Sequence, residues 1–88
     1  MVNVDYLLGF ILRGRTRKKV FLEISQHVRV TPAVLYIKTN IDRSHIRRSL
    51  LELLKTDLVR CTTPKAQTGK VYVLTDNGRK VKKLLEQM

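Results

Sequence analysis

The sequence predicts a small, mainly helical α+β domain, and three observations point to it. Thr31-Pro32 opens one helix, and after a short break at Thr39-Asn40-Ile41 a second begins at Asp42 and carries Arg43, Arg47 and Arg48. Two strand-like segments follow at 58–62 and 70–74, split by the polar loop Pro64-Lys65-Ala66-Gln67-Thr68-Gly69. Apolar residues recur at helical spacing on both sides of this block. Two short helices with a tight turn, the second of them basic, form a helix-turn-helix, and the trailing β-hairpin makes it winged.

The elements follow in order. Asp5 is placed to cap a first helix over 6–12, rich in Leu, Ile and Phe, and Arg13-Gly14-Arg15 breaks it. Thr16 is placed to cap a second, from 17 to about 27, with Val20, Phe21 and Ile24 at core spacing. Thr31 caps the third, and Pro32 takes its first turn, where a missing N–H costs nothing. That helix ends near Lys38, and Asn40 suits a left-handed residue. Asp42 caps the fourth. With Ile46 at the centre of its core face, Leu50, Leu53 and Asp57 lie within about 40° of it. Ser44, Arg48 and Lys55 then point away, flanked by His45 and Arg47. Asp57 stands where the left-handed end of that helix belongs. In the second strand, alternation puts Tyr72 and Leu74 on one face and Val71 and Val73 on the other. Thr75 caps a last helix to Glu86, with Val81, Leu84, Leu85 and Met88 as its apolar stripe. The expected organisation is one domain, 1–88: an N-terminal helix in 1–14, a winged core in 16–75, and a C-terminal helix in 76–88.

Charge points to a partner. The chain holds 18 Lys and Arg against 7 Asp and Glu, a net +11, and its apolar fraction of 43% is too high for disorder. No Lys or Arg precedes Arg13, and then five fall between Arg13 and Lys19. Self-repulsion in such a chain is relieved when phosphates replace counterions, so a nucleic acid is favoured over a generic basic protein. The single cysteine, Cys61, permits no internal disulfide, which fits a reducing interior. It reads as a small strand residue, not a redox sensor, with an intermolecular disulfide across a dimer left open. The apolar run at 6–12 is too short to span a bilayer, and its positive residues follow it, unlike a signal peptide. The expected location is cytoplasmic and nucleoid-associated. His27 and His45 make no metal-ligand spacing with Cys61, so no metal and no cofactor are expected. Neither a glycine-rich phosphate loop nor a nucleophile–base–acid set is present, so no enzyme is expected.

Ile41-Asp42-Arg43-Ser44-His45-Ile46-Arg47-Arg48-Ser49-Leu50, then Leu53 and Asp57-Leu58-Val59, resembles the recognition-helix pattern of winged helix-turn-helix transcription regulators. Leu74-Thr75-Asp76-Asn77-Gly78 resembles the Leu-Thr-x-x-Gly that ends their wing. The likeness is to small archaeal regulators of the MarR/ArsR-like kind. Their short apolar helix, basic link and Lys-Val-Leu helix correspond to 7–13 and Arg17-Lys18-Lys19-Val20. It covers nearly the whole chain, and the order and spacing of the motifs carry it. Two departures stand out. A glycine is usual where Asp57 stands, and Val34, Ile37, Leu51 and Val73 occupy positions more often polar. An exposed apolar patch there would mark a partner or a second subunit.

The candidate site is built on these blocks. Arginine presents a planar fork that fits guanine O6 and N7 and also pairs with phosphate. Arg43, Arg47 and Arg48 span the start of the recognition helix, and Ser44 and His45 can donate to bases or phosphates. Lys65, Gln67, Thr68 and Lys70 lie on the wing, similar to wings that reach the minor groove or flanking phosphates; the alternative is a plain surface hairpin. Arg13, Arg15, Arg17, Lys18 and Lys19 sit at a helix start, where their charge opposes the dipole and an external phosphate would help. The expected partner is double-stranded DNA, with no small-molecule effector evident. Tyr6, Leu7, Phe10, Ile11, Leu84, Leu85 and Met88 either cover the small core or build a homodimer. The dimer, which the resemblance implies, is favoured because one three-helix core cannot hide so many apolar residues. Two rival readings remain: a protein–protein adaptor, favoured by Val34, Ile37 and Leu51, and an RNA-binding factor of the translation machinery. The few aromatics, Tyr6, Phe10, Phe21, Tyr36 and Tyr72, favour a duplex over stacked single strands.

Overall fold

Capping side chains set most of the helix boundaries. A computed structural model describes residues 3–88. Helix α1 spans Val4–Arg13, and its cap is Asn3, whose side-chain oxygen accepts from the N–H groups of Asp5 (2.8 Å) and Tyr6 (3.4 Å). The expected cap, Asp5, lies inside the first turn, where its charge still favours the helix dipole. Helix α2 spans Arg15–Ser25, so only Gly14 separates it from α1. Thr16 lies within this helix and does not cap it; the Lys18 N–H bonds the Gly14 carbonyl at 2.7 Å, and no side chain caps the start.

Helix α3, Pro32–Thr39, is capped by Thr31, whose hydroxyl accepts from the Val34 N–H, and it closes on Asn40 in the left-handed region at φ 57°. Helix α4, Arg43–Lys55, is capped by Asp42 accepting from the His45 N–H at 2.9 Å. It ends in paired 6→1 and 5→2 bonds, Leu58 N–H to Leu53 (3.0 Å) and Asp57 N–H to Leu54 (3.2 Å), with Asp57 at φ 60°. The apolar pair that accompanies such an end is Leu53 and Leu58, both fully buried.

Strands β1, Val59–Cys61, and β2, Tyr72–Leu74, pair antiparallel with Val59 opposite Leu74 and Cys61 opposite Tyr72. Both are shorter than the sequence pattern suggested. Val30, between α2 and α3, adds a one-residue third strand through two bonds with Tyr72 (3.1 and 2.8 Å). A single residue carries no alternation, so nothing in the sequence marked it. Helix α5, Asp76–Glu86, is capped by Thr75, whose hydroxyl accepts from the Gly78 N–H at 3.0 Å and donates to the Asp57 carbonyl at 2.5 Å. A Cβ at Gly78 would lie 2.2 Å from the Leu58 carbonyl oxygen. The Leu-Thr-x-x-Gly motif therefore has a packing reason: it docks the start of α5 on the loop that ends α4.

Helix α2 packs against α4, α3 packs on both, and α1 packs against α2 and α5. Val20, Phe21, Ile24, Leu35, Ile46, Leu53 and Val81 form the centre of one core. Leu7 and Ile11 belong to that core and are fully buried. This corrects their place in the dimer set: the core is built by five helices and the hairpin, not three helices, and it absorbs the inner stripe of α1. Phe10, Leu84 and Leu85 are half-buried, while Tyr6 and Met88 are exposed. Among the described residues, no helix is long and apolar enough to cross a membrane.

Candidate nucleic-acid interface

Arg43, Ser44, His45, Arg47 and Arg48 are all exposed on α4, while Ile46, Ser49, Leu50 and Leu53 face inward. The core face therefore fixes the outward face, as the helical spacing requires. Among the described residues, none of Arg43, Arg47 or Arg48 is ion-paired with a carboxylate. The guanidinium of Arg43 lies 5.2 Å from the ring centre of Tyr36, at the end of α3. Such a stack is worth about 0.5–1 kcal/mol at an exposed site and narrows the arginine's rotamers. Tyr36 was not among the expected site residues; its signal was the short turn that brings the end of α3 to the start of α4.

Asp42 organises the first turn of α4. Besides the His45 N–H it accepts from the Ser44 hydroxyl at 2.8 Å, and it meets His45 Nδ1 at 2.7 Å. These bonds, led by that of the backbone N–H, lower its carboxyl to about 2. Ser44 and His45 are thus already engaged. The Ser44 hydroxyl proton is used, leaving oxygen lone pairs to offer, and His45 keeps Nε2 for a partner.

Between α4 and the hairpin runs a groove of about 730 Å³. Arg43 and Arg47 stand on its helix side, Gln67, Thr68 and Lys70 on its hairpin side, with Leu50, Leu54 and Tyr72 along the floor. Burial raises the Tyr72 phenol above its ordinary value, the Cys61 beside it adds to this, and the nearby charge of Arg47 pulls the other way. The hairpin loop is held by Thr63, whose hydroxyl accepts from the Val71 N–H at 2.9 Å and whose carbonyl accepts from Ala66 at 3.0 Å. Gly69 takes φ 66° to turn back toward β2. The structure thus brings three of the four wing residues beside two of the recognition arginines; Lys65 is exposed but does not line the groove.

The basic corner between α1 and α2 divides. Arg13, Arg15, Lys18 and Lys19 are exposed. Arg17 turns inward, and this corrects its place among the phosphate-facing residues. Its Nε donates to the Phe10 carbonyl at 2.9 Å, its Nη2 donates to the same oxygen, and its Nη1 meets Glu52 at 3.3 Å. It lies 3.6 Å from the Phe10 ring centre, with only 14% of its side chain exposed. The physical cause is the negative end of α1: with one residue between the helices, Arg17 reaches back to an orphan carbonyl there. Of the residues expected to be unusually apolar outside, Ile37 (73%) and Leu51 (51%) are exposed, whereas Val34 and Val73 are half-buried.

No family model and no curated protein matches the sequence. Solved structures do resemble it. The apo form of wild-type MarR from E. coli aligns with a TM-score of 0.76 at 24% identity, covering 96% of this chain and 66% of that one. A MarR-family transcription regulator aligns with a TM-score of 0.76 at 21% identity, covering 88% and 54%. The Zα domain of Carassius auratus PKZ, in complex with Z-DNA, aligns with a TM-score of 0.61 at 16% identity, covering 69% and 94%. The chain thus spans about half to two-thirds of the length of these MarR-type regulators. The archaeal source implied by the motif resemblance has no support in these likenesses. What they show, with the hairpin docked beside α4, is the fold: the chain is a winged helix-turn-helix of the kind seen in MarR-type regulators.

Proposed function

We propose that this chain is a duplex-DNA-binding domain acting in transcription regulation, with α4 in the major groove and the hairpin on the backbone or in the minor groove. The observation that carries the reading is the row of Arg43, Arg47 and Arg48, exposed on one helix and not ion-paired with any described carboxylate. Unpaired guanidinium groups beside one another repel, and phosphates or guanine edges relieve that cost. The net charge of +11 supplies the long-range attraction. The DNA-bound Zα neighbour and the regulators support the reading by likeness of fold alone. Arg13, Arg15, Lys18 and Lys19 extend it to backbone phosphates, and Lys65, Gln67, Thr68 and Lys70 supply the wing contacts.

A homodimer completes the proposal. Tyr6, Leu84 and Met88 remain available for it on the outer sides of α1 and α5. Two α4 helices related by a two-fold axis would meet DNA about 34 Å apart and select a palindrome. The test is anisotropy titration of random-sequence duplex across salt, followed by selection from a random pool. Binding should weaken along a log–log line of slope about −0.9 per phosphate neutralised. Absence of binding at low salt would turn the assignment toward the second reading. That reading, a protein–protein adaptor, is favoured by exposed Ile37 and Leu51 beside the same helix.

A further inference from the structure

A second basic surface lies behind the hairpin. Along β1 and β2, Cys61 and Tyr72 face the groove that holds Arg43 and Arg47, so the neighbouring pair Arg60 and Val73 faces the opposite side. There Arg60 and Arg79 share two adjoining depressions, of about 340 and 520 Å³, the first completed by Lys82 and the second by Lys80. Of the two local acids, Asp76 pairs with Arg79, and Asp57, at the edge beside the end of α4, accepts from the neutral Asn77 side chain at 3.2 Å. Among the described residues, Arg60, Lys80 and Lys82 have no carboxylate partner. Arg60 sits at the base of the hairpin against α5, away from the loop that would follow a duplex seated on α4. No Phe, Tyr or Trp lines either depression, and the one imidazole there, His27, is tied to Glu23 at 2.8 Å, so the surface offers charge with little platform for unstacked bases.

We propose that this rear face binds the backbone of a second DNA duplex, so that one domain can bridge two segments. The inference rests on the α4 reading, because bridging needs a first duplex there. Three unpaired cations, Arg60, Lys80 and Lys82, on a surface without Phe, Tyr or Trp fit the phosphates of a double helix and carry no sequence preference.

The test is capture of a fluorescent duplex on beads carrying a second, unlabelled duplex, run beside single-duplex anisotropy. Wild type should capture, and capture should fall more steeply with salt than single binding. Arg60→Gln/Lys82→Gln and, independently, Arg60→Gln/Lys80→Gln should cut capture at least about tenfold, with single-duplex affinity changed less than about threefold and melting unchanged. Capture that persists in both pairs overturns the proposal and assigns bridging to two α4 helices of a dimer. Absence of capture by wild type also overturns it. Unaltered single-duplex binding by Arg47→Gln/Arg48→Gln, with loss of all binding in the rear variants, overturns both bridging and the α4 reading. Loss of capture with intact single binding in the rear variants overturns neither and establishes the second face.

Discussion

At the scale of single residues, one question decides how each cation behaves: whether its charge is already used inside the fold. Arg48 points outward without a carboxylate, so Arg48→Ala should weaken binding by about 1–3 kcal/mol and relax base preference at one position. Lys18→Ala should weaken all sequences alike and reduce the salt slope by about 1. Arg17→Ala should do neither. It removes the contacts to the Phe10 carbonyl, the Phe10 ring and Glu52, so it should lower stability by about 1–3 kcal/mol while the salt slope stays fixed. Parallel melts and titrations of the three variants check this contrast. The sequence makes these basic residues legible but not their commitments. Helical spacing puts Arg48 outside, since Ile46 must be inside. No spacing rule shows that Arg17 reaches back seven residues to Phe10. Asp42 gives a pH test. Its carboxyl is lowered from 3.8 to about 2, so its share of stability is complete above about pH 4 and fades as pH falls through about 2. Asp42→Asn keeps the cap but cannot titrate, so its acid-unfolding curve should lose that part of the slope.

At the scale of elements, caps and turns were the readable features. Thr31, Asp42 and Thr75 take their expected positions because a hydroxyl or carboxylate before a helical run has few competing roles. The start of α2 was less legible. Both Thr16 and Gly14 can precede a helix, and the choice fell to the close α1–α2 junction that Arg17 ties together. The strand ends and the Val30 bridge depend on pairing across the chain, which local pattern does not encode. The turn at Asp57 shows how a departure is absorbed. Aspartate holds the left-handed position while Thr75 and Asn77 bond its carbonyl and carboxylate. Gly78 is the strictest position in this junction, since any Cβ meets the Leu58 carbonyl. Gly78→Ala should force the start of α5 to move and cost about 1–3 kcal/mol. Thermal unfolding should fall by roughly 4–8 °C for each kcal/mol lost.

At the scale of the whole molecule, a core shared by five helices and a hairpin accounts for most of the apolar surface that α1 and α5 carry. The dimer proposed here therefore rests on their outer residues and not on Leu7 or Ile11. Sedimentation equilibrium should give twice the 10.2 kDa chain mass, and Tyr6→Asp should return it to one chain with melting little changed, because Tyr6 is 58% exposed. The same distribution of residues leaves exposed charge on the α4 face, the α1–α2 corner, the wing and the rear of the hairpin, among other places. A duplex attracted by +11 is offered three arginines without a carboxylate partner at the α4 face, Arg43, Arg47 and Arg48. The central claim is that α4 is where the first duplex sits, and amide chemical-shift mapping during titration with a short duplex tests it most directly. The account expects the largest shifts at Arg43 to Arg48, with smaller ones at Lys65 to Lys70 and Arg15 to Lys19. Saturable binding that leaves Arg43 to Arg48 unmoved would contradict it.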